Sequence, residues 1–146
     1  MEHNLRKATA EDRNAIFHTK KDSIFPYVEK IWGWDEEYQR LEFNTDFAQL
    51  GQFEVIEADG KYAGFVQSFE DEKCIQLCEI HLLTEFRGKG IGSSIIGGML
   101  KAAEKENKKV GTGCFKENCK AKALYLRLGF VQVGETQTHD ILVYSV

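Results

Sequence analysis

Cys74-Ile-Gln-Leu-Cys-Glu-Ile-His-Leu-Leu83, Thr84-Glu-Phe-Arg-Gly-Lys-Gly-Ile-Gly92 and Ser93-Ser-Ile-Ile-Gly-Gly-Met-Leu-Lys-Ala-Ala-Glu-Lys-Glu-Asn107 follow one another without a break. They read as a buried strand, a glycine-rich loop and an apolar helix running to about Asn107. Glycines between a strand and a helix let the backbone turn tightly and admit close approach. The N–H groups that open the helix then form an anion site, reinforced by the helix dipole. A diphosphate is the natural occupant. Two nucleotide patterns fail on the same residues. A P-loop needs Ser or Thr directly after Gly-Lys, but Lys89 is followed by Gly90. The dinucleotide fingerprint G-x-G-x-x-G fails too, because Ser93 stands where Gly88 and Gly90 require a third glycine, and Ile95 where Gly90 and Gly92 do. A dinucleotide-binding unit would also normally open its domain, whereas this one starts past mid-chain.

Arg87, Gly90 and Gly92 do satisfy R/Q-x-x-G-x-G/A. With Ile80-His-Leu-Leu-Thr-Glu-Phe ahead of it, the loop resembles the acetyl-coenzyme A signature of the GNAT N-acetyltransferases. Thr84 departs from that pattern, which usually has proline there, and affects only the turn. A second motif of that family stands at Asn118-x-x-Ala121-x-x-Leu124-Tyr125-x-x-x-Gly129-Phe130. The two motifs cover roughly the last half of the chain, in the family's order.

The bounds set by composition agree. A chain of 146 residues is most simply one domain, 1–146, able to bury roughly 70% of its unfolded surface. An apolar content of 42% and a charged content of 29% are ordinary for a globular chain. A net charge of −4 argues against a nucleic-acid binder, which needs a basic face. No apolar run approaches the roughly 20 residues of a membrane span, so no membrane partner is expected. The first residues lack the basic-then-apolar pattern of a signal peptide, which makes the cytoplasm the default compartment. Cys74, Cys78, Cys114 and Cys119 then stay reduced. Their spacing forms no CxxC pair, and we read them as small, buried, inert thiols rather than a zinc site.

In order along the chain, Leu5–Thr9 reads as an opening strand. Thr9 and Asp12 give a helix start, with Ala15, Ile16 and Thr19 facing inward over about Ala10–Lys21. Pro26 interrupts. Val28, Ile31 and Trp32 make a further helical turn or two, Gly33 breaks it, and Asp35 caps a helix carrying Tyr38 and Leu41. Two strands flank Asp59-Gly60, a type I′ hairpin signal, and 70–73 turns into the central strand. In that strand Ile75 and Leu77 are in one phase and Ile80 and Leu82 in the other. The slip at Cys78-Glu79 is what a β-bulge produces, and bulges recur beside active sites. Gly97-Gly98 inside the following helix reads as room for close packing. Lys109–Phe115 is a strand, Asn118 starts a helix that Gly129 stops, and two strands, 130–133 and 141–144, close the sheet.

The resemblance implies an α/β (α+β) fold: one domain with a mixed, mostly antiparallel sheet, splayed and bulged at its central strand and flanked by about four helices. It implies that Arg87, Gly88, Lys89, Gly90, Ile91, Gly92 and Ser93 hold the pyrophosphate of acetyl-coenzyme A, and that the backbone of Leu82 and Leu83 meets its pantetheine arm. Asn118 contacts the cofactor, and also suits a plain helix cap. Tyr125 falls where the family's tyrosine protonates the departing thiolate, and also suits a core aromatic.

An amine with a pKa near 10 must lose a proton before it attacks a thioester. Glu79, beside the bulge, can accept it; His81, on the same face, and His139 are the substitutes. Tyr27, Glu29, Trp32 and Trp34 lie in the aromatic and acidic run 25–37, which the family fold makes a wall of the acceptor site. Such groups suit a cationic amine. That run and 134–139 resemble a bacterial branch of the family. The expected activity is acetyl transfer from acetyl-CoA to a primary amine, small molecule or peptide, by direct attack through a tetrahedral intermediate. The competing reading is a silent acyl-CoA sensor on the same fold. No metal is expected, and a homodimer is compatible with the family.

Overall fold

A computed structural model describes residues 2–145. It runs β1 (His3–Lys7), α1 (Arg13–Trp32), α2 (Glu36–Phe47), β2 (Phe53–Ala58), β3 (Lys61–Glu70), β4 (Cys74–Leu82), α3 (Ile91–Glu106), β5 (Lys109–Phe115), α4 (Cys119–Arg127), β6 (Val131–Glu135) and β7 (His139–Tyr144). The sheet order is β1-β2-β3-β4-β5-β7-β6. The sheet is mostly antiparallel, with β4 and β5 as its parallel pair, from Cys74↔Lys109 to Gln76↔Gly111. A parallel pair needs a crossover, and α3 is that crossover. This is the mixed α/β architecture expected from the sequence. No described helix is long and apolar enough to cross a membrane.

Backbone packing divides the chain into two compact units. One holds the chain up to Gln67 together with Glu79–Lys89; the other holds Ser68–Cys78 and everything from Gly90 on.

The first unit is built on phenylalanine. Phe17 meets Phe43 edge-on at 5.3 Å, Phe43 stacks on Phe47 at 5.4 Å, and Phe47 reaches Phe53 at 5.1 Å. With Ala8, Ile16, Val55 and Phe65 they form a buried cluster that clamps α1 and α2 onto β2 and β3. Each buried ring contributes about 1.5–3 kcal/mol through the apolar area it removes from water. The hairpin behaves as its turn chemistry requires: Asp59 has φ 51° and Gly60 φ 76°.

Two expectations in this unit need correction. Pro26 does not interrupt: α1 is one helix of 20 residues with Pro26 inside it. A helical proline loses one N–H bond and crowds the preceding turn, but tertiary contacts on both sides hold the helix together. Arg87 ties down Asp22 and Ser23 before it, and Val28 is buried after it. Of the α1 residues expected to face inward, Ile16 and Thr19 are buried and Ala15 is exposed; Phe17, Phe43 and Phe47 carry the rest of the packing, while Tyr38 and Leu41 are exposed. Ile31 and Trp32 are exposed too, Trp32 to 61%. Gly33, with φ 80°, ends α1 and donates its N–H to the Val28 and Glu29 carbonyls.

In the second unit α3 buries Ile91, Ile95, Ile96, Leu100 and Ala103 and lies against β5. Val110, Thr112, Cys114 and Leu142 are buried on β5 and β7. The Thr112 hydroxyl donates to the Leu77 carbonyl at 3.0 Å and fastens β5 to β4. Inside–outside alternation in β4 holds for Ile75 and Leu77 and gives way to even half-burial from Cys78 to Leu82. Gly97 and Gly98 do not mediate close packing: a Cβ at either would meet nothing within 4 Å. Among the cysteines Cys114 is buried, Cys74 and Cys78 are half-buried, and Cys119, expected inside, is exposed.

Candidate active site

The glycine loop sets the backbone at the entrance to α3. Leu83 leads into a single 3-10 turn, Thr84–Phe86, anchored by buried Phe86. Gly88 (φ 72°) and Gly90 (φ 82°) then take left-handed conformations that other residues adopt at a cost. α2 and α4 start under side-chain caps, from Asp35 to the Tyr38 N–H and from Asn118 to the Ala121 N–H. α3 starts at Gly90 with no such cap. Its first helical bond is Ser94 N–H to the Gly90 carbonyl at 3.0 Å. The N–H groups of Ile91, Gly92 and Ser93 precede that bond and have no partner within the helix. Cβ atoms added at Gly88, Gly90 or Gly92 would point into open space. An uncapped, sterically open helix start with no acidic residue in its first turn suits a diphosphate.

Arg87 does something different from its neighbours. Its Nε donates to the Leu82 carbonyl at 2.9 Å, and Nη2 donates to Ser23 Oγ at 3.1 Å and lies 3.5 Å from Asp22. The side chain therefore braces the loop against α1. Leu83 donates its N–H to the Ala63 carbonyl at 2.8 Å, so that group is already engaged by β3. Peptides alternate direction along a strand, so Leu82 presents its own N–H to the opposite edge of β4. Of the two leucines, Leu82 is the one whose N–H faces away from β3.

Further back on β4, Glu79 and His81 share a face and pair directly, with Glu79 Oε2 2.5 Å from His81 Nε2. Lys20 from α1 places Nζ 3.4 Å from the other oxygen, Oε1. Burial pushes the Glu79 carboxyl up, but the His81 hydrogen bond and the Lys20 charge outweigh it and hold the group down at about 2. The imidazole of His81 also lies 5.5 Å from the Phe65 ring.

The α1–α2 corner holds the aromatic and acidic run. Tyr27 is half-buried. Glu29 accepts from the Trp34 N–H at 2.8 Å, closing the corner, and the Trp34 indole donates to Glu36 at 2.9 Å. Trp34 packs on Phe25 at 5.2 Å, with the Lys21 ammonium 5.5 Å from its ring. Bonds from Lys21 and Trp34 hold the Glu36 carboxyl down at about 2. Glu29 and Trp34 thus have structural tasks of their own, while Trp32 stands open to solvent.

In the second unit, Asn118 caps α4 through its carboxamide oxygen, 3.2 Å from the Ala121 nitrogen. Tyr125 is the buried residue of α4, at 5% exposure, with its ring 5.2 Å from Phe130. His139 packs on Phe115 at 4.3 Å and shares a hydrogen bond with the Thr138 hydroxyl through Nδ1. Among the described residues no group of three or more His, Cys, Asp or Glu could hold a metal ion.

Two residues that sequence reading passed over shape the β4 end. Lys20 is one, and nothing local marks it. Gly64 on β3 is the other: a Cβ there would fall 2.1 Å from the His81 carbonyl oxygen. A glycine inside a strand is the available signal, since it often marks close backbone approach.

The comparisons with known proteins fit this geometry. The acetyltransferase (GNAT) family model matches residues 14–130, and the chain belongs to that family. The fold is that of the PaiA N-acetyltransferase from Thermoplasma acidophilum in complex with coenzyme A, with a TM-score of 0.78 at 18% identity over 100% of both chains. Ard1 from Thermoplasma volcanium superposes with a TM-score of 0.73 at 15% identity, over 100% of this chain and 99% of that one. Naa50 from Arabidopsis thaliana, in complex with the bisubstrate analogue CoA-Ac-MVNAL, gives 0.73 at 15% identity over 100% of both. No curated protein matches the chain by sequence.

Proposed function

We propose that residues 1–146 form one cytoplasmic N-acetyltransferase domain that moves the acetyl group of acetyl-CoA to a primary amine. The observation that carries this reading is the uncapped start of α3 behind a loop with two left-handed glycines, where the N–H groups of Ile91, Gly92 and Ser93 have no partner within the helix. These groups, with Gly88, Lys89 and Gly90, hold the pyrophosphate, and Arg87 acts by bracing the loop. Leu82 receives the pantetheine arm, and Asn118 combines its cap with a cofactor contact.

Acetyl-CoA supplies the acetyl thioester, which the amine attacks directly through a tetrahedral intermediate. Tyr125 gives a proton to the departing sulfur. A phenol suits this because its ordinary pKa near 10 keeps it protonated at neutral pH. The proton of the incoming ammonium passes to the β4 face that carries Glu79 and His81. The acceptor approaches along Tyr27, Trp32 and Trp34, with Glu29 closing that corner; His139 is assigned to the acceptor as well. The Naa50 complex, with its peptide-bearing analogue, supports an acceptor that is peptide-like as readily as one that is a small amine.

A panel of small amines and peptide N-termini, followed by release of free thiol, tests the reading. Amine-dependent release of coenzyme A is the expected result. Binding of acetyl-CoA without release under any amine would make the chain a sensor instead.

A further inference from the structure

Resting on that acetyltransferase reading, we infer that His81 takes the proton from the acceptor amine, and that Glu79 and Lys20 are positioning residues that fix which nitrogen of His81 can do so. Both carboxylate oxygens of Glu79 are engaged: Oε2 lies 2.5 Å from His81 Nε2 and Oε1 lies 3.4 Å from Lys20 Nζ. A carboxylate held by an ammonium is an acceptor only, so the hydrogen between Glu79 and His81 sits on Nε2. That leaves Nδ1 as the one basic nitrogen of the ring. Glu79 is itself a poor base in this setting, since His81 and Lys20 keep it ionised far below neutral pH.

The surroundings hold this arrangement in place. β3 faces the ring with Phe65, which is apolar, and passes the His81 carbonyl at Gly64, where no side chain fits. α1 brings Lys20, and the neighbouring Thr19 is fixed by hydrogen bonds to the Ala15 carbonyl and the Tyr62 hydroxyl. Among the described residues, the charged groups that face the imidazole are Glu79 on its own strand and, through Glu79, Lys20 from α1. In the step, an N–H bond of the ammonium breaks and an Nδ1–H bond forms. The electron pair stays on the amine nitrogen, which becomes the nucleophile. The positive charge moves onto the imidazolium, where the Glu79 carboxylate already faces Nε2 and stabilises it.

Two measurements test this. The first is nitrogen-15 NMR of histidine-labelled protein, with His81 assigned by its loss in His81→Gln. It should show the Nε2–H tautomer in the native chain and a mixture in Glu79→Gln. The second is the pH profile of kcat/KM. Its acidic limb should survive in Glu79→Gln, with kcat lowered about 10- to 100-fold, and vanish in His81→Gln. Lys20→Met should lower kcat about tenfold with an unchanged KM for acetyl-CoA, and Lys20→Arg should restore it. Circular dichroism checks the fold of each variant. A limb kept by His81→Gln but lost by Glu79→Gln makes Glu79 the base and overturns the inference alone, as does an Nδ1–H tautomer. No turnover of the native chain with any amine overturns the acetyltransferase reading as well.

Discussion

The backbone of Gly64 runs so close to His81 that a Cβ on the glycine would lie 2.1 Å from the His81 carbonyl oxygen. The Leu82 Cα would be only 2.9 Å away, so neither neighbour is a flexible side chain that could move aside. β3 therefore sets the position of the β4 residues that precede the glycine loop. Gly64→Ala should destabilise the protein by about 1–3 kcal/mol, the usual cost of overpacking a filled interior. Urea unfolding measures that cost. The His81 imidazole resonances should shift in the same variant; an unchanged midpoint would mean the two strands separate freely.

Gly90→Val addresses the loop. The φ of 82° strains a β-branched residue, and its side chain would occupy the open surface in front of the α3 N-terminus. Calorimetry should show acetyl-CoA affinity reduced at least tenfold, with the helical signal by circular dichroism largely retained. Equal affinity would remove the loop from the cofactor assignment.

Tyr125→Phe tests the proton donor. It deletes one oxygen from a residue 5% exposed and keeps the ring against Phe130. A general acid contributes about 100-fold or more, so kcat should fall at least tenfold while acetyl-CoA binds almost normally. An unchanged kcat, with chemistry limiting turnover, would leave Tyr125 a core aromatic.

Glu79 makes a prediction about stability and pH. Its carboxyl is lowered in the folded chain from the ordinary 4.5 to about 2. The folded state therefore binds the proton less tightly than the unfolded one. The stabilisation is fully present above pH 4.5 and is lost as pH falls toward 2. In urea titrations Glu79→Gln should lose less stability over that window than the native chain. Parallel curves for the two proteins would show that Glu79 is not held ionised.

Gly97 and Gly98 offer an opposite test. Both are helical, and a Cβ at either meets nothing within 4 Å. Alanine at each should therefore raise stability by about 0.5–1 kcal/mol, because it restricts the unfolded chain without crowding the folded one. A loss of stability would reveal packing against that face.

Features decided by residues a few positions apart could be read from the chain. The Asp59-Gly60 turn needs two positive φ values, and aspartate followed by glycine tolerates them. The Asn118 cap, the Gly129 stop and the Lys109–Phe115 strand are equally local, and each stands where the residues placed it. The loop Arg87–Gly92 was legible because its glycines answer a backbone demand that no other residue meets so easily. Periodicity alone was weaker. It marks an apolar stripe but does not say which neighbours find a partner: Ile16 and Thr19 are buried and Ala15 is not, while Phe17, Phe43 and Phe47 close on Phe53 of β2. Pro26 stayed helical because contacts distant in sequence hold both of its flanks. The same limit applies to chemistry. Proton affinity depends on which charges stand within a few ångströms, and Lys20 reaches Glu79 only after α1 has packed. The chain by itself specified the family, the loop and the strand that carries the carboxylate and imidazole; the tertiary structure decided which oxygen meets which nitrogen.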